Sequence, residues 1–111
     1  MHELSIAQAL AATALDHARA AGSQRVRALT VEVGTLTGVE PALLQAAFPA
    51  VATGILAGAR LDLIAVPARC RCLDCGEFAV GADGLRCPTC GTPAAEVLCG
   101  RELHLTSLEI D

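Results

Sequence analysis

Two cysteine pairs, Cys72-Leu73-Asp74-Cys75 and Cys87-Pro88-Thr89-Cys90, constrain this chain more than any other feature in it. Two residues between cysteines let one tight turn aim both sulfurs at a single ion, and two such knuckles complete a tetrahedral four-sulfur site. Gly76 and Gly91 directly follow the pairs. Each lets its turn bend until backbone N–H groups point at sulfur. Zinc is the default occupant, and four thiolates leave no open position, so the expected role is structural. Metal binding would also supply the folding energy that so loop-rich a segment lacks in apolar area.

Iron is the competing metal, because CxxCG and CPxCG are also the knuckles of rubredoxin-type electron carriers. The eleven residues between the knuckles and the scarcity of aromatic side chains weigh against it. Two further cysteines lie outside the quartet. Cys70 precedes Cys72 by two residues, a poorer geometry for a shared ion, and is kept as a spare. Cys99 reads as a small core residue or a free thiol. No basic leader precedes the first apolar stretch and no apolar run is long enough to span a bilayer. A cytosolic location and no membrane attachment are therefore expected, and reduced thiols there favour metal over disulfides.

Charge and composition narrow the partners. The formal net charge is −4, and Phe48 and Phe78 are the only aromatic residues. A nucleic-acid binder generally needs a basic face for phosphate and, for single strands, aromatic platforms for bases. Around the cysteines Arg69, Arg71 and Arg86 are matched by Asp74, Glu77 and Asp83, so that segment is neutral. Nucleic acid is not an expected partner. Apolar residues make up 53% of the chain, enough to build a core.

Periodicity places the rest. Leu4, Ala7, Ala11, Leu15 and Ala18 form a helical stripe that Gly22 should end. From Arg25 to Leu36 the pattern alternates, with Leu29, Val31 and Val33 on one face of a half-buried strand. Pro41 suits the first turn of a second helix, carried by Leu43, Leu44, Ala47, Phe48 and Val51 and stopped at Gly54 or Gly58. Pro49 predicts a kink or break within it. Arg60 to Val66 reads as a second strand, and a last one follows Gly100. There the apolar phase slips between Leu105 and Leu108, which predicts a bulge near Thr106 and Ser107.

The fold expected is α+β: two helices packed on a small, three-stranded, mainly antiparallel sheet, with an inserted zinc-ribbon-like module. The domain boundaries predicted are 1–66 with 99–111 for the α/β part and 67–98 for the zinc module.

The chain's start offers a second metal site. The amine of Met1 and the amide nitrogen of His2 close a five-membered chelate ring. That amide and the His2 imidazole Nδ1 close a six-membered one. Glu3 supplies a fourth donor by its amide or its carboxylate. Planar nitrogen donors of this kind favour Ni(II) or Cu(II) over zinc. The bland alternative is a solvated terminus with Glu3 favouring the start of the helix. His17 and His104 read as parts of exposed polar faces.

Taken together, MHELSIAQAL at the start, VEVGTLTGVEP in the middle, the two knuckles and the closing SLEID resemble the HypA/HybF family. The resemblance covers essentially the whole chain, with its parts in the family's order. It implies a zinc-containing nickel metallochaperone that serves [NiFe]-hydrogenase maturation. The partners implied are a HypB-type GTPase, the hydrogenase large subunit precursor and, for some members, the urease system and its accessory proteins. It implies nickel at Met1, His2 and Glu3, with His2 the principal ligand, and structural zinc at Cys72, Cys75, Cys87 and Cys90. Some members carry histidine directly after a CxxC pair where this chain has Gly76 and Gly91. An exchange of zinc ligands with pH is therefore not expected.

The expected activity is transfer rather than turnover, since the sequence offers no nucleophile–base pair, paired carboxylates or phosphate loop. Two readings from other classes compete: a zinc-ribbon module binding nucleic acid or protein, and the rubredoxin-like carrier.

Overall fold

The computed structural model describes residues 2–111, and Met1, one of the expected nickel donors, lies outside the described residues. Helix α1 spans Glu3–Ala20 and buries Ala7, Leu10, Ala11, Ala14 and Ala18. Alanine loses no side-chain entropy in a helix. The helix closes as its glycine predicts. Gly22 takes a φ of +70°, its N–H donates to the Arg19 carbonyl, and the Ser23 N–H donates to that of Ala18. That pair of bonds is the Schellman closure.

Strand β1 (Val26–Gly34) buries Leu29, Val31 and Val33. Helix α2 (Pro41–Val51) starts on its proline and buries Leu44 and Phe48. It runs through Pro49 and stops two residues later, short of the expected Gly54. Proline cannot donate to the carbonyl four residues back, so the last turn is weakened where it stands. A 3₁₀ turn at Gly54–Leu56 follows. Strands β2 (Arg60–Val66) and β6 (Leu103–Ile110) flank β1 in a sheet of order β2-β1-β6. Helices α1 and α2 pack on each other. On β6 the half-buried positions are Leu103, Leu105 and Leu108, which is the slip of phase the sequence predicts. At that point the Thr106 hydroxyl donates to the Thr30 carbonyl at 3.2 Å. Among the described residues no helix is long and apolar enough to cross a membrane.

The cysteine-bearing stretch is more ordered than its glycines and prolines suggest. Strands β3 (Arg69–Cys72), β4 (Gly76–Ala79) and β5 (Glu96–Cys99) form a second antiparallel sheet of order β4-β3-β5. Along β3 the residues alternate. Cys70 and Cys72 join Phe78 and Cys87 in a small core, while Arg69 and Arg71 face solvent. Arg71 stands opposite Glu77 on one neighbour and Glu96 on the other, and its guanidinium pairs with Glu96.

The chain divides into two compact units. One holds the chain up to Glu32, Gly38–Ile64 and His104–Asp111; the other holds Val33–Thr37 and Ala65–Leu103. Within the second unit the Gly34 N–H donates to the Glu102 carbonyl and the Leu36 N–H to that of Gly100, both at 2.7 Å.

Candidate metal centre

The first knuckle is the tip of a hairpin. Cys72 ends β3, Gly76 begins β4 directly opposite it, and Leu73 to Cys75 make the turn. Gly76 has a φ of +87°, a conformation L side chains rarely adopt. The second knuckle lies between β4 and β5. The Gly91 N–H donates to the Cys87 carbonyl at 2.8 Å, and the Cys87 N–H donates to the Thr92 carbonyl at 2.9 Å. Gly91, at φ +74°, makes that turn possible.

These turns bring four sulfurs together. The Sγ atoms of Cys72, Cys75, Cys87 and Cys90 all lie within 4.8 Å of one another, and those of Cys72 and Cys90 are 3.6 Å apart. Four sulfurs set about 2.3 Å from a zinc ion form a tetrahedron with edges of about 3.8 Å. The thiols are all free, so the donor set fits a soft tetrahedral metal. Cys72 and Cys87 are buried, Cys75 and Cys90 exposed; each knuckle contributes one of each.

The surroundings divide the thiols electrostatically. Cys75 is pushed up to about 12, first by sharing hydrogen bonds with the sulfurs of Cys87 and Cys90. Cys90 is drawn down to about 6, chiefly by the Thr92 hydroxyl and then by the Thr92 N–H, which both favour its thiolate. Cys87 is lowered by the N–H groups of Cys90 and Thr89. This is the knuckle arrangement of backbone donors around sulfur that the glycines predict. Thr92 escaped the sequence reading; its one signal was a hydroxyl residue two places beyond the last ligand.

Cys70 is fully buried beside Cys72 and is not one of the four clustered sulfurs. Cys99 is half-buried, and its Sγ donates to the Pro67 carbonyl at 3.3 Å, as a free thiol can.

At the other site, His2 is exposed and occupies the N-cap position of α1, with its carbonyl accepting the Ile6 N–H at 2.9 Å. Its side chain makes no capping bond. Glu3 is only 6% exposed, and its Oε2 accepts the Glu40 N–H at 3.2 Å. His17 lines an open cavity of about 250 Å³ with Leu105, Thr106, Ser107 and Leu108, and His104 is exposed.

A four-sulfur centre in a small antiparallel module, in a chain that also carries a two-helix sheet unit, defines a small metal-handling protein. The family model described as "Hydrogenase/urease nickel incorporation, metallochaperone, hypA" matches residues 1–110. The chain belongs to the HypA family. It is 37% identical to the hydrogenase maturation factor HypA of Acidithiobacillus ferrooxidans, with all of both chains covered. It is 49% identical to that of Deinococcus radiodurans over 95% of this chain and 89% of the relative. Among solved structures, the solution structure of the Ni metallochaperone HypA from Helicobacter pylori matches with a TM-score of 0.70. The two chains are 25% identical, with 99% of this chain and 97% of that one covered.

Proposed function

We propose that this chain carries Ni(II) on its first residues and delivers it during [NiFe]-hydrogenase maturation. Zinc at Cys72, Cys75, Cys87 and Cys90 keeps the second unit in shape. Membership of the HypA family along residues 1–110 carries this reading. A free-standing ribbon module or a rubredoxin-like carrier would have no reason to share the two-helix unit as well.

The nickel donors in this reading are the Met1 amine, the His2 amide and imidazole, and Glu3. The geometry around α1 supports the Glu3 amide over its carboxylate as the fourth. The first N–H groups of a helix have no intrahelical acceptor, so metallating those nitrogens breaks no helical bond. The positive end of the helix dipole also favours the anionic amides such a site needs. The Glu3 carboxylate, by contrast, is buried and already accepts the Glu40 N–H. The exposed His2 imidazole is within reach of an acceptor protein. Transfer then proceeds one donor at a time to a partner, proposed here as a HypB-type GTPase or the hydrogenase large subunit precursor, in the cytoplasm. The working division is 1–66 with 99–111 for nickel and 67–98 for zinc.

At the zinc site the protein's part is to hold four sulfurs at tetrahedral spacing and to stabilise two of them as thiolates, Cys87 from Cys90 and Thr89 and Cys90 from Thr92. Bound zinc would supply cross-linking and no chemistry, since the four thiolates complete its shell.

Metal analysis of untagged protein after nickel loading tests the whole. Wild type should hold one zinc and one nickel, His2→Ala should lose the nickel, and Cys75→Ala should lose the zinc. Nickel retained at full stoichiometry by His2→Ala, or by a chain with a blocked leading amine, would overturn the assignment.

A further inference from the structure

We propose that the Glu3 carboxylate is a positioning group that caps helix α2 from helix α1, rather than a nickel donor. The proposal rests on the nickel reading above and assigns the side chain of a residue whose backbone belongs to that site.

Three observations carry it. Glu3 is the one charged residue buried among the described residues. A carboxylate taken out of water is costly unless it is hydrogen-bonded, and Glu3 Oε2 accepts a bond from the Glu40 N–H, 37 positions along the chain. Glu40 is the N-cap residue of α2, and its own side chain makes no capping bond.

Helices often satisfy the N-cap N–H from within, by a Glu or Gln at the third helical position reaching back. In α2 that position is Leu43, which has no acceptor, and no acidic residue stands in the first turn. Glu3 supplies from α1 what α2 lacks. Its negative charge also sits where the α2 dipole favours an anion. The same side chain fixes the backbone of the first helical residue, immediately beside exposed His2. A nickel ion drawing on this carboxylate would draw its charge away from the α2 cap, because the oxygen that accepts the Glu40 N–H belongs to the same delocalised anion.

Glu3→Gln and Glu3→Ala, made in untagged, zinc-loaded protein, separate the roles. Glutamine keeps an oxygen acceptor for the Glu40 N–H but is not an anionic donor; alanine removes both. Hydrogen exchange at the Glu40 amide should match wild type in Glu3→Gln and speed up about tenfold in Glu3→Ala. Titration with nickel sulfate should give the wild-type absorption spectrum in both variants, with affinity unchanged in Gln and lowered a few-fold in Ala.

A changed nickel spectrum or a tenfold loss of affinity in Glu3→Gln would make the carboxylate a ligand and overturn the proposal. So would wild-type exchange at Glu40 in Glu3→Ala. Failure of the nickel reading shows differently: His2→Ala would bind nickel like wild type, while the exchange measurements would still report the cap.

Discussion

The Sγ atoms of Cys72 and Cys90 stand 3.6 Å apart across 18 positions of sequence, one at the end of a strand and the other in a turn. Little apolar surface explains that closeness, because the core beneath it holds only Cys70, Cys72, Phe78 and Cys87, with Val80, Ala94 and Val97 against it. On the zinc reading proposed above, the metal sets the stability of the second unit. Cys90→Ser, or chelation of wild type, should abolish its cooperative melting, since structural zinc contributes on the order of 10 kcal/mol to such modules. Circular dichroism at 222 nm should fall little, because α1 and α2 belong to the other unit. Retention of a sharp transition in the β3–β5 amide signals after zinc removal would contradict this.

Thr92 gives a finer test of the same site. Its carbonyl accepts the Cys87 N–H, and its hydroxyl is the main group favouring the Cys90 thiolate. Removing a polar partner of a metal ligand commonly costs tenfold or more in metal affinity. Thr92→Val keeps the shape and loses the hydroxyl. It should release zinc to a chromogenic chelator roughly tenfold faster, and Thr92→Ser should restore the rate. Equal rates in all three proteins would leave the hydroxyl without a role.

What the sequence made legible was local. The CxxCG knuckles, the Gly22 closure and the slip of phase between Leu105 and Leu108 each lie within a few residues, where spacing and allowed backbone angles decide. Strands β3 to β5 were not legible. Each is four residues long, and Arg69-Cys70-Arg71-Cys72 alternates only if cysteine is counted as apolar. The capping role of Glu3 and the crowding at Gly34 depend on partners 37 and 66 positions away (40 minus 3, and 100 minus 34). No local pattern encodes those.

The last described residue carries a pH prediction. The Asp111 N–H donates to the Arg25 carbonyl at 3.1 Å, and its Oδ1 lies 2.5 Å from the Arg27 Nε. The Arg27 guanidinium, by its hydrogen bond first and its charge besides, holds the Asp111 carboxyl below its ordinary value. A carboxyl lowered in the folded state stabilises it above the unfolded value and loses that contribution as pH falls through the folded one. Carboxyl NMR should therefore show Asp111 titrating below a free aspartate, and Arg27→Ala should move the midpoint up. The effect on melting should be slight, because both side chains are solvent-exposed and screened.

Gly34 and Gly38 are close in sequence and should respond oppositely to a methyl group. A Cβ on Gly34 would stand 2.1 Å from the backbone carbon and oxygen of Gly100, inside any permissible contact. Gly100 is itself hemmed in, since a Cβ built on it would stand 2.6 Å from Ala68 Cα. Gly34→Ala should thus destabilise the second unit by about 3 kcal/mol or more, the upper end for overpacking against backbone. Gly38 has open space around it and only a φ of +75° to satisfy. Gly38→Ala should cost about 1 kcal/mol, the usual penalty for a left-handed alanine. Urea unfolding of the two zinc-loaded variants should separate them clearly. If Gly34→Ala proved the milder change, the two glycines would not be closely packed where β1 leaves its sheet.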